Sequence, residues 1–101
     1  MCMFTIRFAE GVAQDLKTIP AFYRKQILDV IEKQLLNTPD LETRNRKILA
    51  KLAPPWEGIE PVWELRVGEY RVFYDISRED ETVYVRAVRR KPSGKKTEDI
   101  L

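Results

Sequence analysis

Histidine is absent from this chain and cysteine occurs once, at Cys2, so two of the residue types that most often hold transition metals or build nucleophilic centres are missing. A single thiol has no partner within the chain, which excludes an intrachain disulfide framework and suits the reducing interior of a cell. The carboxylates are scattered and match no calcium-loop pattern, so neither a metal nor another cofactor is expected. No apolar run approaches the ~18 residues that a membrane-spanning helix needs, and residues 1–4 lead straight into alternation rather than a signal-peptide block. A cytoplasmic location without membrane contact follows as the expectation. An excess of one charge is also lacking. The 18 Lys and Arg stand against 16 Asp and Glu, and the resulting +2 is too little to argue nucleic-acid binding from the total.

What is present fits one small domain. The 101 residues are 44% apolar and 34% charged, an ordinary balance for a globular chain with one core. Residues 1–92 form the expected domain, and residues 93–101 an expected mobile tail unless Ile100 and Leu101 dock. Phe4, Ile6 and Phe8 alternate as a half-buried strand does. Val12, Leu16 and Ile19 then fall at helical spacing, and Pro20 restarts the chain as a second helix for which Thr18 offers a capping oxygen. Tyr23, Ile27, Val30, Ile31, Gln34 and Leu35 form one stripe of that helix, which Asn37-Thr38-Pro39-Asp40 ends. Residues 41–60 read as a long irregular connection with one helical turn around Ile48, Leu49 and Leu52. Strand alternation returns at residues 62–67, the pair Gly68-Glu69 makes a tight turn, and strands follow over residues 70–76 and 82–90.

This order predicts an α+β fold: an antiparallel sheet of about four strands, β-α-α-β-β-β, with an N-terminal helical hairpin packed on one face. The other face is expected to be open and to carry the function, because Glu64, Arg66 and Arg71 point to it. Cations cluster only near the end, as Arg89-Arg90-Lys91 and then Lys95-Lys96. Each feature has an ordinary reading as well. Glu64, Arg66 and Arg71 suit cross-strand ion pairs worth under about 1 kcal/mol each. Trp63, Tyr70 and Tyr74 suit sheet packing, and Trp56 a core edge or a partner anchor. Phe73 shares the parity of Arg71, so it is a candidate to stack a base beside a phosphate clamp.

The run Trp63-Glu64-Leu65-Arg66-Val67-Gly68-Glu69-Tyr70-Arg71-Val72-Phe73-Tyr74, followed by the strand Val83-Tyr84-Val85-Arg86-Ala87-Val88 and the basic Arg89-Arg90-Lys91, resembles the signature of the RelE/ParE superfamily of toxins of type II toxin–antitoxin systems. The resemblance covers roughly residues 3–91. It implies a toxin held inactive by a cognate antitoxin and acting in one of two ways. One is a RelE-like ribosome-dependent mRNA endonuclease, in which the message's 2′-hydroxyl attacks its own phosphate without a metal ion. The other is a ParE-like inhibitor of DNA gyrase that cleaves nothing. A detoxified relative that only binds its antitoxin is a third reading. Under the nuclease reading the catalytic set is Arg66, Arg71, Arg90 and Lys91 on phosphate with Glu64 as base, while Phe73, Arg89, Lys95 and Lys96 bind RNA. Val62 and Glu64 stand where RelE-type nucleases commonly carry lysines, and no tyrosine follows Tyr84.

Overall fold

The computed structural model describes residues 3–101, so the reading of Cys2 lies outside the described residues. The elements are β1 (Thr5–Phe8), α1 (Val12–Lys17), α2 (Ala21–Leu35), β2 (Arg46–Leu49), β3 (Val62–Val67), β4 (Tyr70–Ser77), β5 (Thr82–Arg90) and a short 3₁₀ turn, Thr97–Ile100. The α+β expectation holds, with β3, β4 and β5 forming the antiparallel meander. Two details are corrected. The sheet has five strands in the order β1-β5-β4-β3-β2, and it is mixed, because β1 runs parallel to β5.

The added strand is β2, which the sequence suggests as irregular chain with a helical turn. Four residues are too few for a period to show, and its strand form depends on partners distant in sequence. It pairs antiparallel with β3, Arg46 opposite Leu65 and Ile48 opposite Trp63. Arg46 is 4% exposed. Its Nη1 donates to the carbonyls of Gln34, at 3.0 Å, and of Thr38. The Gln34 carbonyl belongs to the last turn of α2, where the helix offers acceptors with no internal donor, so Arg46 both caps α2 and ties β2 beneath it.

Ile27, Ile31 and Leu35 of α2, spaced four apart, pack with Val12 and Ile19 on Leu65, Val72, Tyr74, Val83 and Val85 of the sheet. Tyr23 departs from the expected stripe and is exposed, as is its neighbour Phe22 at 75%. Thr18 does not cap α2. Its hydroxyl donates to the Asp15 carbonyl at 2.7 Å and closes α1, leaving Pro20 to start the second helix through its fixed φ.

The face away from the helices is covered rather than open. Val62, Phe73 and Ala87 form a second buried cluster, roofed by Leu49, Leu52 and Trp56 from the connection and by Ile100 and Leu101 from the C-terminal segment. An ion pair holds this roof in place. Arg86 grips Asp75 through two bonds, Nε to Oδ2 at 2.8 Å and Nη2 to Oδ1 at 3.1 Å. The Ile59 backbone N–H donates to the same Oδ2 at 3.1 Å. Gly58 is required here, since a Cβ on it would lie 2.3 Å from Asp75 Oδ2.

Removing one member of a buried pair leaves an uncompensated charge. Asp75→Ala is therefore expected to cost about 3–5 kcal/mol, read as a shift in the midpoint of urea unfolding, with Trp56 fluorescence reporting release of the connection.

Candidate functional site

The residues of interest meet where the β3–β4 turn faces the end of β5. Gly68 takes φ +58°, a value that favours glycine, and this lets Val67 and Tyr70 pair directly across a two-residue turn. The Lys91 N–H donates to the Glu69 carbonyl at 2.6 Å, which carries the β5 edge one residue past its last strand pair. Pro92 to Lys95 then folds back, closed by a Lys95 N–H to Pro92 carbonyl bond of 3.1 Å, with Gly94 at φ +87°. Between the two turns lies a cavity of about 260 Å³. Its walls carry Arg66, Arg71, Lys91 and Lys95, with Glu69 the one acid among them.

Four cations around one small cavity need an explanation, because Arg66 and Arg71 sit directly opposite each other across β3 and β4. Like charges in that position destabilise a strand pair unless an anion lies between or beside them. Arg71 is 8% exposed. Burial holds its pKa below the ordinary value, Glu64 opposes that shift, and Arg66 adds to it. Its Nη1 donates to the Gly68 carbonyl at 3.0 Å and the Tyr70 carbonyl at 2.9 Å, so the turn fixes the orientation of the fork. An oriented, partly desolvated arginine beside a second arginine is suited to clamp a phosphate through two oxygens.

Glu64, two residues before Arg66 on the same face of β3, lies beside this cavity at 4% exposure. Its Oε2 accepts a hydrogen bond of 3.0 Å from the Thr97 hydroxyl, and that hydroxyl in turn accepts one of 3.5 Å from Lys91 Nζ. Lys47 Nζ stands 3.8 Å from Oε1, but its side chain is largely exposed and the pair adds little. Glu64 is thus a buried counter-charge sealed by the C-terminal segment. A second cavity, of about 430 Å³, opens beyond the seal and shares Lys91 and Lys95 with the first.

The structure therefore brings together Arg66, Arg71, Lys91 and Lys95, sets Glu64 beside them, and places Lys96 on the second cavity. It takes the other expected residues elsewhere. Phe73 is fully buried, with its ring centroid 5.7 Å from that of Trp56, so it offers no open platform for a base. Arg89 is bound by Asp15 of α1, and Arg90 pairs with Glu69 at 3.2 Å on the helix side of the sheet. Thr97, and Lys51 on the wall of the second cavity, carry no sequence signal: one lies in the tail and the other in the irregular connection. Among the described residues there is no group of three or more His, Cys, Asp or Glu that could hold a metal ion, and no helix is long and apolar enough to cross a membrane.

Comparison with known proteins bears on this geometry. A family model described as the ParE toxin of the type II toxin–antitoxin system parDE matches residues 6–91. The chain belongs to this toxin family. It is a type II toxin of the RelE/ParE superfamily, as the paired β3–β4 motif implies. The toxin is similar to a chain of the RelBE2 toxin–antitoxin complex of Mycobacterium tuberculosis, with 25% identity and TM-score 0.68 over 88% of this chain and 99% of that one. The archaeal RelE–RelB complex of Pyrococcus horikoshii shares the fold at 19% identity and TM-score 0.62, covering 93% and 99%. The isolated RelE toxin of E. coli does so at 16% and 0.51, covering 95% and 93%. No curated protein sequence matches the chain.

If Thr97 seals Glu64, Thr97→Val strands a buried carboxylate without its donor. The expected cost is about 1–3 kcal/mol in equilibrium unfolding, with Thr97→Ser restoring the wild-type midpoint.

Proposed function

We propose that this toxin is a RelE-like endoribonuclease that cuts messenger RNA on the ribosome. The observation that carries the reading is the convergence of Arg66, Arg71, Lys91 and Lys95 on one cavity sized for a phosphate and its sugar. Arg66 and Arg71 hold the non-bridging oxygens and stabilise the charge that grows as the 2′-hydroxyl attacks phosphorus. The 2′-hydroxyl proton passes to the Thr97 oxygen as the Thr97 proton passes to Glu64. Lys91 gives a proton to the departing 5′ oxygen as its bond to phosphorus breaks, leaving a cyclic phosphate. Arg90, engaged with Glu69 on the other side of the sheet, is left out of this scheme.

A second reading has its own support. Glu64 has no direct opening to the cavity, and a toxin that blocks DNA gyrase by binding alone needs no base. The family model that matches is the ParE toxin, which favours keeping this alternative.

A cognate antitoxin is the expected partner, since the Mycobacterium tuberculosis relative forms a complex with one. The surface offered to it is the exposed pair Phe22 and Tyr23, whose rings meet edge to face at 5.3 Å. They lie at the start of α2, where Tyr23 and Tyr70 line a groove of about 700 Å³ suited to an amphipathic segment.

Purified toxin added to translating ribosomes is expected to produce new message ends, and Arg71→Ala with Lys91→Ala to abolish them. Intact message together with blocked supercoiling by gyrase would transfer the function to the second reading. Phe22→Ala with Tyr23→Ala is expected to leave growth arrest intact and to weaken its relief by the antitoxin at least tenfold in a binding measurement.

A further inference from the structure

The second cavity has a composition that the phosphate site lacks. Its floor is apolar, made by Leu49 and Leu52 at the end of β2 and just beyond it. Its rim is charged, with Lys51 on the connection and Lys96 and Glu98 on the C-terminal segment. The two cavities are neighbours through Lys91 and Lys95, which border both. An apolar surface beside phosphate-binding cations is what a nucleotide requires, since its base has an apolar face and a polar edge while its backbone carries the charge. A cavity of about 430 Å³ is also within the size range of small-molecule sites.

We infer that this cavity is a subsite for the nucleotide next to the phosphate held by Arg66 and Arg71, with its base on Leu49 and Leu52, Lys51 on its far phosphate, and Glu98 reading the base edge. The inference rests on the reading of the first cavity as an RNA phosphate site. Lys51 acts as a point charge and contributes affinity without regard to sequence. Glu98 contributes selectivity. Its carboxylate accepts from the exocyclic amine of cytosine, whereas uracil presents a carbonyl oxygen at the same place and is repelled. A pyrimidine with an amine is therefore preferred over one without.

The chain has a reason to place these groups on two separate segments. Lys51 and Leu52 belong to the connection, and Glu98 belongs to the 3₁₀ turn whose Ile100 and Leu101 roof the same apolar cluster as Leu49 and Leu52. The packing that closes the second sheet face thus sets the width of the subsite. Asp99 helps hold the turn, since its Oδ2 accepts from the Lys96 N–H at 3.0 Å.

The test is fluorescence anisotropy with end-labelled RNA hexamers, oligo(C) and oligo(U), across a salt series. Wild type is expected to bind oligo(C) at least about fivefold tighter than oligo(U), as a single base contact allows. Lys51→Ala is expected to weaken both about three- to tenfold, and to lower the slope of log affinity against log salt by about 0.7, the value for one phosphate contact on a single strand. Glu98→Ala is expected to bind oligo(U) at least as well as wild type does and to lose the preference for oligo(C). Lys51 and Glu98 are exposed, so neither change threatens the fold, and matched melting curves confirm it. If Arg71→Ala abolishes binding while Lys51→Ala leaves affinity and slope unchanged, the subsite is refuted and the phosphate cavity stands. If Arg71→Ala has no effect either, the proposed RNA function falls with it. A cytosine preference that survives in Glu98→Ala overturns the assignment of the base edge.

Discussion

A sheet has two faces, and this chain supplies helices for only one of them. Everything at the candidate site depends on how the second face is kept from water. Val62, Phe73 and Ala87 are apolar and lie on that face, so leaving them bare would forfeit the burial of a large aromatic ring. The chain covers them with Leu49 at the end of β2, the irregular connection after it and the short C-terminal 3₁₀ turn with Leu101. The roof stops short of the β3–β4 turn, and the cations gather at its margin. Around Glu64, roof and site are the same residues, because Thr97 both closes the cover and occupies the carboxylate.

The electrostatic arrangement follows from that cover. In water, Arg66 and Arg71 would be two screened charges on a solvated ladder, and their mutual repulsion would be small. Partial burial of Arg71 raises the importance of every neighbouring charge. The buried Glu64 supplies one negative charge beside the pair, which leaves the local sum positive toward solvent. A phosphate entering the cavity completes the balance. The ordinary reading of these residues as an ion-pair ladder thus contains part of the truth, for Glu64 does act as a structural counter-ion.

The sequence revealed the parts whose reason is local. Alternation in β3 and β4 placed Trp63, Leu65 and Val67 on the helix face and Glu64 and Arg66 on the other, and the glycine turn followed from Gly68. The four-apart spacing of Ile27, Ile31 and Leu35 gave α2 its buried face. What the sequence hid were the parts whose reason lies elsewhere in the chain. β2 becomes a strand because Arg46 finds the end of α2 and because β3 offers an edge. The parallel place of β1 is a choice of partner, which no pattern within four residues records. Phe73 lies on the expected face, yet Trp56 covers it, and nothing near Phe73 announces that contact. Arg89, Arg90 and Lys91 read as one basic run, although each meets different company.

The face that each of them starts from follows from the register shift between β4 and β5. Phe73 pairs with Ala87 and Tyr74 with Val85, so Arg86 is the one residue without a counterpart, and it turns to Asp75. A bulge of this kind works as a change of phase. It allows Val85 and Val88, three apart, both to face the helices, whereas strict alternation would send one of them to each side. The same step brings Arg90 opposite Tyr70 on the helix side and delivers Lys91 to the site. Alternation parts Arg90 from Arg89 and Lys91, Asp15 takes Arg89, and one supernumerary residue sets the phase, so the composition of the cavity is decided by counting as much as by chemistry.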